Sequence, residues 1–208
     1  MKILPSPLLV ITDRHQARHS IETIAEAVAQ AGGRWLLLRD KDLEPAERHA
    51  LARRLSAISR RHGMHLSVSG DVDLAVECGA SVHVQSGAAV AAARQRLGPG
   101  PLIGVSAHGL ADVKAAAAAG ADYALLSPIF LTASKPGYGP ALGVGMIASA
   151  VQLGISVVAL GGVTAGVVRP CLDSGAVGVA VMGDIMRSVD PGGAVARLLN
   201  ACKAAQGG

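Results

Sequence analysis

Eight short apolar runs alternate with eight longer, Ala-rich runs of helical period, and this alternation limits the chain to a parallel α/β fold. The strand candidates span 8–12, 35–39, 65–69, 82–85, 102–106, 123–127, 156–160 and 178–182. The helix candidates span 20–31, 45–62, 72–78, 88–97, 110–119, 145–153, 165–174 and 191–205. Both odd and even positions of the strands are apolar, as strands covered on two faces require. Strand–helix–strand units of one sheet cross over right-handedly. Eight of them favour closure into a barrel over an open sheet of six or seven strands. The expected fold class is therefore α/β, a (β/α)8 TIM barrel, with residues 1–208 as one domain. No GxGxxG follows the first strand, which argues further against a dinucleotide-binding sheet.

Local signals agree with these boundaries. Gly32-Gly33, Gly79, Gly120 and Gly175 each close a helix just before a strand, where a left-handed residue is wanted. Ser20, Asp71 and Asp190-Pro191 stand where helix caps belong.

Composition removes several function classes. Half of the residues are hydrophobic and 16% are charged, which excludes disorder. Trp35, Tyr123, Phe130 and Tyr138 are the only aromatics, so the core is aliphatic and base stacking has almost no platform. The net charge is +4. Its local clusters, Arg53-Arg54 and Arg60-Arg61-His62, fall on one helix and read as a solvated face. Nucleic acid is therefore not an expected partner. No apolar run approaches the roughly 18 residues of a membrane span, and the first ten residues are too short and too broken by Pro5 and Pro7 for a signal peptide. Cys78, Cys171 and Cys202 form no CxxC and read as small buried hydrophobes of a reducing compartment. A cytoplasmic protein is expected, with no membrane partner and a homodimer as the candidate assembly.

The chemistry of such a barrel sits on the loops that follow its strands. Gly161-Gly162 after strand 7 and Gly183 after strand 8 let backbone N–H groups approach an anion, forming a phosphate cradle. The loop after strand 6, from Pro128 to about Gly143, is long and rich in Gly and Pro, and loops of that kind are usually functional. It carries Thr132, Ser134 and Lys135. With Arg39 and Lys41 on the rim of strand 2, these could gather round a second anion. His83 and His108 are candidates for proton transfer, or else hydrogen-bonded rim residues. Asp71 and Asp73 open a helix, and capping explains them better than metal binding does.

An ordered set of motifs carries a family resemblance. It comprises Val10-Ile11-Thr12-Asp13-Arg14, Leu38-Arg39-Asp40-Lys41-Asp42-Leu43, Val72-Asp73-Leu74-Ala75, Val82-His83 and Ile103-Gly104-Val105-Ser106-Ala107-His108. Gly120-Ala121-Asp122-Tyr123, Pro128-Ile129-Phe130-Leu131-Thr132-Ala133-Ser134-Lys135-Pro136, Val158-Ala159-Leu160-Gly161-Gly162-Val163 and Gly178-Val179-Ala180-Val181-Met182 complete it. Over nearly its whole length the chain resembles the thiamin phosphate synthase/TenI superfamily. The resemblance implies a barrel that binds thiazole phosphate at Gly161, Gly162 and Gly183. In the synthase branch it also implies a pyrimidine pyrophosphate held by Arg39, Lys41, Thr132, Ser134 and Lys135, with Mg²⁺ helping the pyrophosphate leave.

The chain departs from the synthase pattern at the metal. Ser69-Gly70 replaces an Asn-Asp pair, Ser86-Gly87-Ala88 replaces Gln-Glu-Asp, and Leu37 replaces a Gln. Mg²⁺ needs oxygen ligands, so no metal and no cofactor are expected unless the synthase reading holds. The glycine after strand 3 and Gln85-Ser86-Gly87 look like the TenI branch, where a thiazole phosphate is aromatised by a proton shift. The histidine that this branch carries after strand 6 is Pro128 here, which leaves His108, then His83, as acid/base candidates. The first reading is thus a TenI-like protein that tautomerises thiazole phosphate. The alternative is a synthase that joins pyrimidine pyrophosphate to thiazole phosphate, and the third is a non-catalytic regulatory barrel.

Overall fold

A computed structural model describes residues 2–131 and 140–207. Its strands are β1 (Leu8–Ile11), β2 (Trp35–Leu38), β3 (His65–Ser69), β4 (Ser81–Val84), β5 (Ile103–Ala107), β6 (Tyr123–Leu126), β7 (Ser156–Leu160) and β8 (Gly178–Val181). They pair in sequence order, all in parallel, and β8 closes on β1 through Leu8↔Val179 and Val10↔Val181. The expected barrel is therefore the observed one. Between the strands run α1 (Ile21–Gln30), α2 (Pro45–His62), α3 (Val72–Cys78), α4 (Val90–Leu97), α5 (Leu110–Ala118), α6 (Val144–Val151) and α7 (Val168–Asp173). A short α8 (Gly183–Met186) and the long α9 (Pro191–Gln206) follow β8.

The two-sided apolarity of the strands has a direct structural cause. Leu8 and Val10 face the helices, with Leu36 and Leu38 beside them. Leu9, Ile11, Trp35, Leu37, Tyr123, Leu125, Val158 and Ala180 fill the barrel's interior. The interior is aliphatic on the β7–β8–β1 side and polar on the β3–β5 side. There Trp35 Nε1 donates to Ser67 Oγ at 3.0 Å, and His83 meets both Tyr123 and Ser106. Gly104 makes room for the Tyr123 ring, since a Cβ there would lie 2.0 Å from Tyr123 Cζ.

The expected caps are in place. Ser20 Oγ accepts from the Thr23 N–H, Asp71 from Leu74 and Asp190 from Gly193, each contact contributing about 1 kcal/mol. Apart from Arg60, the basic clusters of α2 are paired across the surface, Arg53 with Glu77, Arg54 with Glu22, and Arg61 and His62 with Glu26. The three cysteines are free thiols in the core, and burial raises those of Cys171 and Cys202 to about 11. No helix among the described residues is long and apolar enough to cross a membrane.

Two boundaries differ from expectation for a physical reason. The helices expected at 88–97 and 165–174 each begin with a 3-10 turn, Gly87–Ala89 and Ala165–Val167. The four residues of α8 make a single turn, too few for a 3.6-residue period to register in the sequence.

Candidate active site

Two clefts open at the carboxyl ends of the strands. The first, of about 310 Å³, lies over β7, β8 and β1. Gly161, Gly162 and Gly183 form its edge, and Ile11, Leu160, Ala180 and Met182 line its apolar wall. Arg39 and Arg187 stand at its rim, with Thr164 and Asp184. All three predicted cradle glycines are thus brought together.

Gly161 and Gly162 have φ of +97° and +65°, where a side chain is strained. They also lie under the start of the β6–α6 loop. A Cβ on Gly161 would meet Pro128 Cα at 2.8 Å, and one on Gly162 would meet the Leu131 carbonyl oxygen at 2.4 Å. The Ile129 N–H donates to the Leu160 carbonyl at 2.9 Å and the Phe130 N–H to that of Gly161 at 3.0 Å, so the two backbones pack directly. The glycines therefore first admit the β6 loop. The N–H groups of Gly162, Val163 and Gly183 have no backbone acceptor among the described residues and remain available as donors.

The second cleft, of about 590 Å³, lies over β1 and β2 and is walled by Asp13, His15, Gln16, Arg39, Asp40, Lys41 and Asp42. Arg39 lines both clefts. Its backbone is held by a buried relay. Thr12 Oγ1 donates to Asp40 at 2.6 Å and accepts from the Arg39 N–H at 2.9 Å, while Asp40 also accepts from the Arg14 N–H at 2.7 Å. Asp42 is held well below the usual carboxylate range by hydrogen bonds from Arg14 and His15. Arg39 and Lys41 have no carboxylate partner among the described residues. Partial burial, then the guanidinium groups of Arg39 and Arg48, push the Lys41 ammonium below its ordinary pKa.

Among the described residues neither predicted histidine lines either of these two clefts. His83 is 4% exposed, with Nδ1 3.2 Å from the Tyr123 hydroxyl and Nε2 2.9 Å from Ser106 Oγ. Burial, and then Lys41, push its pKa down to about 3, so it is neutral near pH 7. His108 is exposed on the β5 side, where Nδ1 lies 2.9 Å from the Ser127 carbonyl and the backbone N–H donates to Asp112. Thr132, Ser134 and Lys135 lie outside the described residues. The sequence reading missed Arg187, Thr164 and Asp184; Asp184 sits in the unexpected α8 and Arg187 just after it. Gln16 accepts from Arg187 and donates to Asp13, linking the β1 loop to that helix.

The residues present do not fit Mg²⁺. Gly70 has no ligand to give, and a Cβ there would sit 3.5 Å from Lys41 Nζ. A Cβ on Gly87 would strike the Ala115 carbonyl oxygen at 2.8 Å, and Ala88 has no donor atom. Asp71 is committed to Arg48 at 3.1 Å and to its cap. Among the described residues no three His, Cys, Asp or Glu side chains form a group that could hold a metal.

The family model described as thiamine monophosphate synthase matches residues 8–185. The chain is 38% identical over 188 residues to a putative thiamine-phosphate synthase of Geobacter sulfurreducens, covering 88% of each protein. It is 38% identical over 167 residues to the thiamine-phosphate synthase of Geobacillus thermodenitrificans, covering 78% of this chain and 75% of the relative. The solved thiamine phosphate pyrophosphorylase of Pyrococcus furiosus superposes with a TM-score of 0.82 at 25% identity, covering 95% and 96%. With its glycine edge, its cationic rim and this coverage, the chain belongs to the thiamine monophosphate synthase family of thiamine biosynthesis.

Proposed function

We propose that the barrel joins two phosphorylated heterocycles, the synthase reaction that the sequence reading ranked second. The single observation that supports this is that Arg39 lines both clefts, as two adjacent anion subsites would require. One cleft takes the phosphate of a thiazole phosphate on the glycine edge, with its ring on the apolar wall. The other takes the pyrophosphate of a pyrimidine pyrophosphate beside Arg39 and Lys41. Relatives named thiamine-phosphate synthase support the same choice.

The chemistry suits the residues. The bond between the pyrimidine's methylene carbon and the pyrophosphate oxygen breaks, and the electron pair leaves with pyrophosphate. The lone pair of the thiazole nitrogen forms the new carbon–nitrogen bond. That nitrogen carries no proton, so the step needs no general base. It needs charge stabilisation on the leaving group, which preplaced cations supply. Tautomerisation would instead need an acid/base group aimed at the thiazole; among the described residues no histidine lines the first cleft, and Asp184 at its rim and His108, bonded to the Ser127 carbonyl, are the titratable groups nearest it.

The test is incubation of the protein with both substrates and with thiazole phosphate carboxylate alone, followed by chromatography. Thiamine phosphate is the expected product. An aromatised thiazole with no coupling would reinstate the tautomerase reading, and binding of both substrates without turnover would reinstate the regulatory one.

A further inference from the structure

We infer that this barrel holds pyrophosphate by direct contact with Lys41 and Arg39, with no divalent cation between them. The inference rests on the synthase reading and concerns its leaving-group subsite.

Gly70 follows the end of β3. The space a side chain would enter is open, and the nearest atoms to it are Cε and Nζ of Lys41, both at 3.5 Å. An ammonium group therefore stands beside the position where the family resemblance implies a carboxylate. The other side of the mouth offers no replacement, because Gly87 is closed by the Ala115 carbonyl oxygen at 2.8 Å. Each neighbouring carboxylate already has donors: Asp71 has Arg48, Asp40 has Thr12 and the Arg14 N–H, Asp42 has Arg14 and His15, and Asp13 has Gln16 and the His15 N–H. Among the described residues Arg39 and Lys41 are the cations of this cleft without a carboxylate partner.

Electrostatics then decide between the two occupants. Arg39 and Arg48 already lower the affinity of Lys41 for its own proton. A divalent cation would add to that repulsion, and among the described residues the carboxylates of this cleft are engaged elsewhere and form no group that could hold it. A polyanion would relieve it, with Arg39 offering a planar fork of donors and Lys41 a mobile point charge. Replacing a carboxylate by a neighbouring ammonium thus changes the subsite from one that recruits a metal with its anion to one that binds the bare anion.

Calorimetry with inorganic pyrophosphate tests this without reference to turnover. Pyrophosphate is expected to bind in EDTA, and added Mg²⁺ is expected to leave affinity unchanged or weaken it by competing for the anion. Lys41→Met is expected to weaken binding in EDTA by roughly ten- to hundredfold, the loss of one charge-assisted contact, with Lys41→Arg recovering most of it. Gly70→Asp, at a φ of +75° that Asp tolerates better than most side chains, gives Lys41 a carboxylate partner. It should weaken metal-free binding and make the remainder Mg²⁺-dependent. Binding only in the presence of Mg²⁺, a tightening of tenfold or more on its addition, or no binding in either condition would overturn the inference. Binding in EDTA beside a failed coupling assay would remove the synthase reading and leave the metal-free subsite standing.

Discussion

Thr12 Oγ1 donates to the Asp40 carboxylate at 2.6 Å while accepting from the Arg39 N–H at 2.9 Å, so one buried hydroxyl ties the end of β1 to the cation shared by both clefts. Thr12→Val keeps the shape and removes both contacts, leaving the buried Asp40 and the Arg39 N–H short of a partner. Chemical denaturation should show a loss of about 1–3 kcal/mol. Affinity for thiazole phosphate and for pyrophosphate should fall together, because Arg39 serves both. A variant that loses affinity for one ligand alone would separate Thr12 from the shared arginine.

The cradle glycines need a different test from the obvious one. Gly162→Val would indeed disturb phosphate binding, but it would also drive a side chain into the Leu131 carbonyl oxygen and the Phe130 Cβ. Even Gly162→Ala should lower stability, by roughly 1–3 kcal/mol from the strained φ of +65° and the lost loop packing, and thermal denaturation reads this directly. A variant of unchanged melting temperature would show that the β6 loop yields at no cost.

Arg187 tests the same cleft without that complication. It is an exposed residue at the rim, and Arg187→Ala should leave the melting temperature nearly unchanged. Affinity for thiazole phosphate should drop about tenfold or more, while affinity for the dephosphorylated thiazole alcohol should hold. Equal loss for both ligands would place Arg187 against the ring instead of the phosphate.

His83 makes a prediction about pH. Its folded pKa, about 3, lies below the ordinary 6.5, so the unfolded chain binds the proton more tightly. Its contribution to stability is fully present above about pH 6.5 and is lost progressively as pH falls toward 3. His65, lowered by burial as well, adds a slope of the same sign. His83→Gln should flatten the melting temperature between pH 6.5 and 4 relative to the unsubstituted protein. A coupling rate whose acid limb followed an imidazole pKa near neutrality and vanished in this variant would instead place His83 in the chemistry.

The barrel was legible because each of its strands is apolar on two faces, and Leu8–Leu9–Val10–Ile11 shows why: alternate residues feed the outer core and the interior. The cradle was legible from its glycines, though their first service, admitting Pro128 and Leu131, depends on a loop distant in sequence and carries no local signal. Arg187 was hidden because one helical turn has no period. Residue type alone made His83 a proton-transfer candidate. Only burial against Tyr123 and Ser106 distinguishes a neutral interior imidazole from a catalytic one, and burial is a property of the closed barrel.

The central claim is that two anion subsites meet at Arg39 and fill together. The direct measurement is a calorimetric titration of thiazole phosphate into protein already saturated with inorganic pyrophosphate. Thiazole phosphate is expected still to bind, at one equivalent per chain, and Arg39→Ala to weaken both ligands. Mutual exclusion, with pyrophosphate abolishing the thiazole phosphate signal, would mean a single anion site and would contradict the account.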